Sequence, residues 1–361
     1  MKKIILVAGA RPNFVKIAPI MRAIANRQFN RLQALLVHTE QHYDYEMSQA
    51  FFDDLGIGRP DYFLGVGSGS HAVQTAKIMM AFEEVCLKER PDVVVVVGDV
   101  NSTLACALVA KKLLIKVAHV EAGLRSHDLT MPEEINRMVT DVLADFLFVT
   151  ERAGMVNLKK EGKPEKAIHF VGNVMVDTLY FQLSKLKKAS GLQARPDAPY
   201  AVLTLHRPAN VDDRQKLQEI IGCLNIIAEE FPIYFPVHPR TRQRLEEFGL
   251  MDEIETRKIA LLSPLSYQDF LHLWEGASLV LTDSGGLQEE TTALGIPCLT
   301  LRENTERPVT IEEGTNILAG TTSEGILKAY ELFKKSGGKK GRIPELWDGK
   351  SAERIVAVLA A

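Results

Sequence analysis

Asp92 to Val97 reads DVVVVV, a run dominated by β-branched residues with no polar face. A segment of that length and composition suits a central strand of a parallel sheet, covered on both sides. It ends in Gly98-Asp99-Val100-Asn101-Ser102-Thr103, and the alanine-rich helix LACALVAKK follows. Lys116 to Val120 repeats the pattern and ends in Glu121-Ala122-Gly123-Leu124-Arg125. Two successive strands thus each carry a carboxylate to one rim of the sheet. In open α/β sheets that rim, beyond the carboxyl ends of the strands, is where ligands bind.

The start of the chain has the same form. Lys3 to Ala8 is expected as a first strand, Gly9-Ala10-Arg11-Pro12 as a turn, and Phe14 to Asn26 as a helix. Arg11 in the turn and Lys16 in the helix are candidates for an anionic ligand, arginine as a planar fork and lysine as a point charge. Leu32 to Thr39 is a second strand, whose polar sequel makes Gln41 and His42 candidate contacts. Ser70 is expected to cap a helix from His71 to Leu87. The segment GVGSGS at Gly65 to Ser70 lacks GxGxxG spacing and does not follow the first strand, which excludes a nicotinamide fingerprint. Pro132-Glu133-Glu134 opens a helix with proline and acids in its first turn. Asp99, Glu121 and Glu133 can therefore converge, and gathered carboxylates are suited to acid and base chemistry. They also suit a structural role, as caps and as partners of Arg125 and Arg137. His119, Glu121, His127 and Asp128 match no zinc spacing, so no metal is expected.

The second half carries the most pointed turn, LTDSGGLQEE at Leu281 to Glu290. An apolar strand runs into Ser284-Gly285-Gly286, and LQEETTALG then has helical composition. Backbone N–H groups and the positive end of a helix dipole make such a turn an anion site, with glycine allowing close approach. Glu289 and Glu290 are expected in the first helical turn, where they could accept hydrogen bonds from hydroxyl groups. An ordinary strand-to-helix connection with acidic capping has the same composition. Strands expected at Tyr200 to Leu205, Ile233 to Val237 and Pro297 to Leu301 end in His206-Arg207, in His238-Pro239-Arg240 and in a charged loop reaching Arg307. This half repeats the architecture of the first.

A chain of 361 residues suggests about two domains. Between the halves, Gln182 to Pro199 is charged and then proline-bearing, as an interdomain segment would be. The formal net charge of −3 implies no basic face, so neither nucleic acid nor an acidic membrane surface is an expected partner. Any bound anion must be held by a small local cluster of cations. Cys86, Cys106, Cys223 and Cys298 lie far apart in apolar contexts and read as reduced core residues, which with the absence of a leader or a long apolar run suggests a cytoplasmic protein.

GARPNFVKIAP, TEQHYD, VVGDVNSTLACALVA, HVEAGLRS, PEEINR, GNVMVDTL, TLHR, LTDSGGLQEE and ERP, taken in order, resemble the non-hydrolysing UDP-N-acetylglucosamine 2-epimerases. The resemblance spans nearly the whole chain and is most specific at HVEAGLR and DSGGLQEE. It implies an α/β fold of two Rossmann-like domains facing across a cleft, as in glycosyltransferases of the B type. Residues 1–172 would form the domain with the catalytic acids and 173–350 the UDP-binding domain, with helix 351–361 packing back on the first. It also implies a homodimer, a UDP-sugar substrate and no redox cofactor. Asp99, Glu121 and Glu133 would be the catalytic acids, with His206 beside them. Arg11, Lys16, Gln41 and His42 would line the substrate site, and His206, Ser284, Gly285, Gly286, Glu290 and Arg307 would hold the UDP portion. The implied reaction is elimination of UDP across C1 and C2 of the sugar, then its re-addition with the proton returned to the opposite face of C2.

The sequence departs from the family after TLHR, where Pro208-Ala209-Asn210 follows, and at HPRTR. A relative acting on a UDP-diacetamido-uronic acid would share the core motifs. A UDP-sugar glycosyltransferase would share the architecture without needing three rim acids. A hydrolysing epimerase fits HVEAGLR and DSGGLQEE less well, and a non-catalytic sensor would not keep the acids.

Overall fold

The computed structural model describes residues 1–26, 31–40, 51–187, 196 and 198–361. Gln41 and His42 lie outside the described residues. The chain divides into two compact units, Met1–Tyr180 with Glu345–Ala361, and Phe181–Pro344.

In the first unit seven strands pair in parallel in the order β3-β2-β1-β4-β5-β6-β7. They are β1 (Lys2–Ala8), β2 (Leu32–Glu40), β3 (Tyr62–Val66), β4 (Val93–Val97), β5 (Lys116–Val120), β6 (Phe146–Val149) and β7 (Ile168–Phe170). The five valines of β4 are all buried, with one face in the cluster around Ile4, Leu6 and Ile17 and the other in the cluster around Ile5, Phe82 and Cys106. Helices α1 (Arg11–Ala25), α2 (His71–Glu89), α3 (Asn101–Lys112), α4 (Pro132–Leu143) and α5 (Arg152–Lys160) make crossovers of the kind parallel pairing requires, and α6 (Val174–Leu186) follows β7 and runs on into the second unit. Chain order reverses between β1 and β4, so the loops after these two strands border the switch point at which such sheets bind ligands.

In the second unit six strands run β10-β9-β8-β11-β12-β13, all neighbours parallel. They are β8 (Ala201–Thr204), β9 (Ile233–Pro236), β10 (Ile259–Leu262), β11 (Leu279–Thr282), β12 (Cys298–Thr300) and β13 (Asn316–Leu318). The reversal here falls between β8 and β11, which places the His206-Arg207 loop beside the glycine turn. A core of leucine, isoleucine and Phe235 fills one face of this sheet. The helices are α7 (Pro208–Val211), α8 (Arg214–Ala228), α9 (Pro239–Glu247), α10 (Tyr267–Glu275), α11 (Gly285–Leu294), α12 (Pro308–Glu312) and α13 (Ser323–Ser336).

The last helix, α14 (Ser351–Ala360), belongs to the first unit and packs against α1, burying Ile355, Val356 and Leu359. Asp177 on α6 accepts from the N–H groups of Ser351 at 3.1 Å and Ala352 at 2.7 Å, capping that helix from another element. The indole of Trp347, fully buried, donates to the carbonyl of Thr150 at 3.0 Å. All four cysteines are free and buried. Among the described residues no helix is long and apolar enough to cross a membrane.

Candidate active site

The first unit gathers acids and cations around the ends of β1, β4 and β5. Helix α1 begins at Arg11, three residues before the expected Phe14, so Arg11 lies in its first turn and not in a loop. Pro12 permits this, since the first helical N–H groups have no partner to lose. Asn13 completes the start: its Oδ1 accepts from Gly9 N at 3.2 Å and Ala10 N at 2.9 Å, and its Nδ2 donates to Val97 O. Arg11 is exposed, its guanidinium 4.8 Å from the Phe51 ring centre. Lys16, one turn further on, is buried and ion-paired with Glu121.

Glu121 is 3% exposed and adopts φ of +72°, a left-handed conformation that costs a residue with a side chain. Its Oε2 holds Lys16 while its Oε1, equally buried, has no hydrogen-bond partner. A buried carboxylate oxygen left bare beside a strained backbone marks a group kept for something other than stability. Gly98, at φ of +68°, lines the same spot; a Cβ there would come within 3.1 Å of Lys16 Nζ and 3.5 Å of Glu121 Oε2. Its neighbour Asp99 is half-buried and ion-paired with Arg137, which also pairs with Glu134.

Helix α4 supplies this second pair. Glu134, 1% exposed, accepts from the N–H groups of Ser126 and His127 at 3.0 to 3.1 Å and so fixes the loop after β5. Asn136 donates to Asp99 O at 2.9 Å. Glu133 stands exposed in the helix's first turn. Of the two adjacent acids, therefore, Glu134 is structural and Glu133 is left facing solvent. Arg137 takes the salt-bridge role expected of it with Asp99. Arg125 instead pairs with Asp141 and Glu161, both at 2.7 Å.

Beneath the acids lies a fully buried His119. Its Nδ1 is 2.6 Å from Asp141 Oδ1 and its Nε2 2.8 Å from Gly98 O. Both ring nitrogens of His119 thus lie against oxygen atoms, and Arg125 meets the other carboxylate oxygen of Asp141 at 2.7 Å. His119 and Arg125 hold the Asp141 carboxyl below its ordinary range against the desolvation that would raise it.

In the second unit the glycine turn is the opening of helix α11 itself, which starts at Gly285 with Ser284 as an N-cap that makes no side-chain cap bond. The expected first-turn place of Glu289 and Glu290 is thus corrected. The glycines occupy the first turn, because a bare backbone is tolerated there, and the two acids fall in the second. Arg307 lies over the turn: a Cβ on Gly285 would come within 2.7 Å of its Nη1. Its Nε is 2.7 Å from Glu289 Oε1, and its Nη1 3.5 Å from Glu306. Glu306, 2% exposed, also receives Arg302 through two bonds of 2.8 and 2.9 Å, with Arg207 at 4.0 Å. Three guanidinium groups around it hold its carboxyl well below the usual range despite burial.

Asp283, at the end of β11, is fully buried and ties the adjacent loop down. It accepts from His206 N at 3.0 Å, Arg207 N at 2.8 Å and Asn210 Nδ2 at 3.2 Å, and lies 3.0 Å from His206 Nδ1. The His206 ring remains 39% exposed at the rim. Glu290 is buried beside Glu289; burial pushes its carboxyl up to about 7, although Tyr267 donates to it at 2.6 Å. Asn13, Glu134, Asp283 and Glu306 are the site-building residues that sequence reasoning passed over. Asp283 follows an apolar strand as Asp99 does, and that signal was available.

Two parallel sheets with the same reversal of strand order, each with its charged groups at the switch point, define a two-domain Rossmann-type α/β enzyme. The family model for UDP-N-acetylglucosamine 2-epimerase matches residues 24–360. A UDP-N-acetylglucosamine 2-epimerase of Methanocaldococcus jannaschii is 45% identical, over 99% of this chain and 98% of that one. A UDP-2,3-diacetamido-2,3-dideoxy-D-glucuronate 2-epimerase of Pseudomonas aeruginosa is 42% identical, over 99% of each. The crystal structure of the M. jannaschii UDP-GlcNAc 2-epimerase in complex with UDP-GlcNAc and UDP superposes with a TM-score of 0.87 at 44% identity, covering 99% of both chains. The chain belongs to the UDP-N-acetylglucosamine 2-epimerase family and is an epimerase.

Proposed function

We propose that the protein interconverts UDP-N-acetylglucosamine and UDP-N-acetylmannosamine without hydrolysis. It would act as a cytoplasmic homodimer supplying N-acetylmannosamine-type sugars for cell-surface polysaccharide. The observation that carries the reading is Glu121. It is a buried carboxylate with one oxygen held by Lys16 and the other unpartnered, in a chain whose second unit presents an uncapped helix start under Arg307.

In the proposed reaction the diphosphate sits against the α11 N-terminus and Arg307, and His206 lies at the same rim. The C2 proton is not acidic, so the C1–oxygen bond must weaken as the proton leaves. Cations and amide dipoles that accept the developing diphosphate charge supply that assistance. A carboxylate takes the C2 proton, UDP departs with the C1–oxygen electron pair, and a C1=C2 double bond remains. Re-addition reverses each step: a diphosphate oxygen bonds C1 and an acid delivers a proton to the other face of C2. Asp99, Glu121 and Glu133 are assigned to the proton transfers, and Arg11 and Lys16 to the substrate side of the first unit. Ser284, Gly285, Gly286 and Glu290 are assigned to the UDP.

The test is a proton NMR time course of UDP-GlcNAc with enzyme in deuterated water. Conversion to a mixture containing UDP-ManNAc, with deuterium at C2, is the expected result. Free ManNAc with UDP, or an unchanged substrate, would overturn it. A second reading, epimerisation of a UDP-diacetamido-uronic acid, is favoured by the 42% identity to the P. aeruginosa enzyme, and the same assay on that sugar distinguishes the two.

A further inference from the structure

The core beneath the first switch point holds a polar assembly where apolar side chains would serve the fold. Side chains alternate along β5, and Val117, on the same face as His119, lies in the apolar cluster with Val94, Val96 and Cys106. His119 and Asp141 are fully buried at the end of that cluster, and Arg125 is buried beside them. Burying such groups is costly, and replacing a buried ion pair with well-packed apolar residues is often neutral or stabilising. Stability alone therefore does not account for a histidine, an aspartate and an arginine at this place.

The backbone that the assembly holds supplies the reason. Gly98, Glu121 and Gly123 are all left-handed, at φ of +68°, +72° and +81°. The Gly98 carbonyl can only accept, so His119 Nε2 donates to it at 2.8 Å, while Gly98 N donates to Val120 O at 3.0 Å. Both polar backbone groups of the residue before Asp99 are thus fixed from β5. Asp141 Oδ1 lies 2.6 Å from His119 Nδ1, and its Oδ2 accepts from Gly123 N at 3.0 Å and from Arg125 at 2.7 Å. Asp141 therefore grips the chain two residues before Glu121 and two residues after it. A left-handed residue with a side chain persists only where its surroundings hold it so.

We propose that His119 and Asp141 are positioning residues for the epimerisation: one buried pair holds the Asp99 turn and the Glu121 turn in fixed relation, so that both carboxylates are in place together. The inference rests on Asp99 and Glu121 being groups that transfer the proton. Being fully buried, neither His119 nor Asp141 reaches substrate; each acts through the backbone next to an acid. A displacement of about 1 Å at a reacting group costs on the order of a hundredfold in rate, so loss of one such hydrogen bond has a large effect without touching the ligand.

The test separates the two ends of the histidine. His119→Gln keeps an N–H in the place of Nε2, toward Gly98 O, whereas His119→Asn keeps one in the place of Nδ1, toward Asp141. His119→Asn should lower kcat about tenfold to a hundredfold with KM and calorimetric UDP affinity within about twofold of wild type, and His119→Gln should recover most of that loss. Asp141→Asn, whose amide can still accept from Gly123 N and donate to Nδ1, should stay close to wild type, while Asp141→Leu should fall as His119→Asn does. In an Asp99→Asn background His119→Asn should cost little more, since its effect passes through Asp99. Hydrogen exchange of the full chain gives a readout independent of turnover: residues 97–100 should lose protection in His119→Asn and residues 119–125 in Asp141→Leu, with β11 unchanged. Equal losses in His119→Gln and His119→Asn, a fall in UDP affinity as large as the fall in kcat, or wild-type kcat in His119→Asn and Asp141→Leu would each overturn the proposal. Wild-type turnover in Asp99→Asn and Glu121→Gln would overturn the acid assignment itself, and with it the proposal, a result distinct from any in the His119 series.

Discussion

The two units use one strand order to opposite electrostatic ends. At the first switch point acids are interleaved with single cations, Lys16 on Glu121 and Arg137 shared by Asp99 and Glu134, and one carboxylate oxygen of Glu121 is left bare. At the second, three arginines crowd one carboxylate, Glu306, next to an uncapped helix start. Acids in slight excess with a spare acceptor suit moving a proton, whereas clustered cations and an uncapped helix start suit holding an anion. Topology therefore sets where a site lies, and the side chains at the rim decide its chemistry.

The sharpest way to break this comparison is to neutralise the acids. Asp99→Asn, Glu121→Gln and Glu133→Gln should each lower turnover by about a hundredfold to ten-thousandfold while UDP affinity stays within a fewfold of wild type. Turnover from steady-state kinetics and affinity from calorimetry read the two separately. Glu134→Gln is the contrast within α4. It loosens the Ser126–His127 loop and leaves Arg137 short of a partner, so it should reduce stability as well as rate. Wild-type turnover in the first three variants would remove the assignment of proton transfer to the first unit.

The second unit can be probed through pH. Burial raises the Glu290 carboxyl from 4.5 to about 7, so the folded protein holds a proton there that the unfolded chain releases. Its contribution is favourable below about 4.5 and is lost as pH rises through 7. Glu290→Gln keeps a neutral group of the same shape. Its stability relative to wild type should rise by up to about 3 kcal/mol between pH 4.5 and 8. Urea unfolding at three pH values checks this, and parallel profiles would contradict it.

Much of this division was legible in the sequence, for local reasons. Asp99 and Glu121 were visible because each ends an apolar strand, and the backbone fixes which rim a strand end reaches. Glu133 and Glu134 could not be told apart by type, yet their face could have been read. Glu134, Arg137 and Asp141 recur at i, i+3 and i+7, opposite Ile135, Met138, Val139 and Val142, and the structure buries the polar set. The assumption that the apolar stripe goes inward hid that role. Helix starts were displaced by proline at Arg11 and glycine at Gly285, since both residues are tolerated just inside a helix as well as just before it. Strand β13, three residues long, and β3, with a glycine within it, left too little periodicity to find. Asp283 depends on contacts with the distant His206–Asn210 segment, whereas Glu306 meets Arg302 and Arg307 within its own loop, where no periodicity shows which side chains come together.

Arg307 carries the next effect in size. Its removal deletes a charged partner of the proposed diphosphate and leaves Glu289, 1% exposed, without its 2.7 Å ion pair. Arg307→Ala should weaken UDP about tenfold to a hundredfold, as loss of a charge-assisted bond does, with turnover at saturating substrate less affected. Gly285→Ala asks the finer question of whether the turn and the guanidinium act as one unit. The added methyl would meet Arg307 Nη1 at 2.7 Å. The far end of an arginine can shift, so the cost should be only a fewfold in UDP affinity, about 1 kcal/mol. If the whole cost is displacement of Arg307, then Gly285→Ala should be neutral in an Arg307→Ala background, and the double-mutant cycle should show a coupling of about the same size. Additive losses would instead mean that the methyl obstructs the anion at the helix start directly, and that turn and arginine bind it independently.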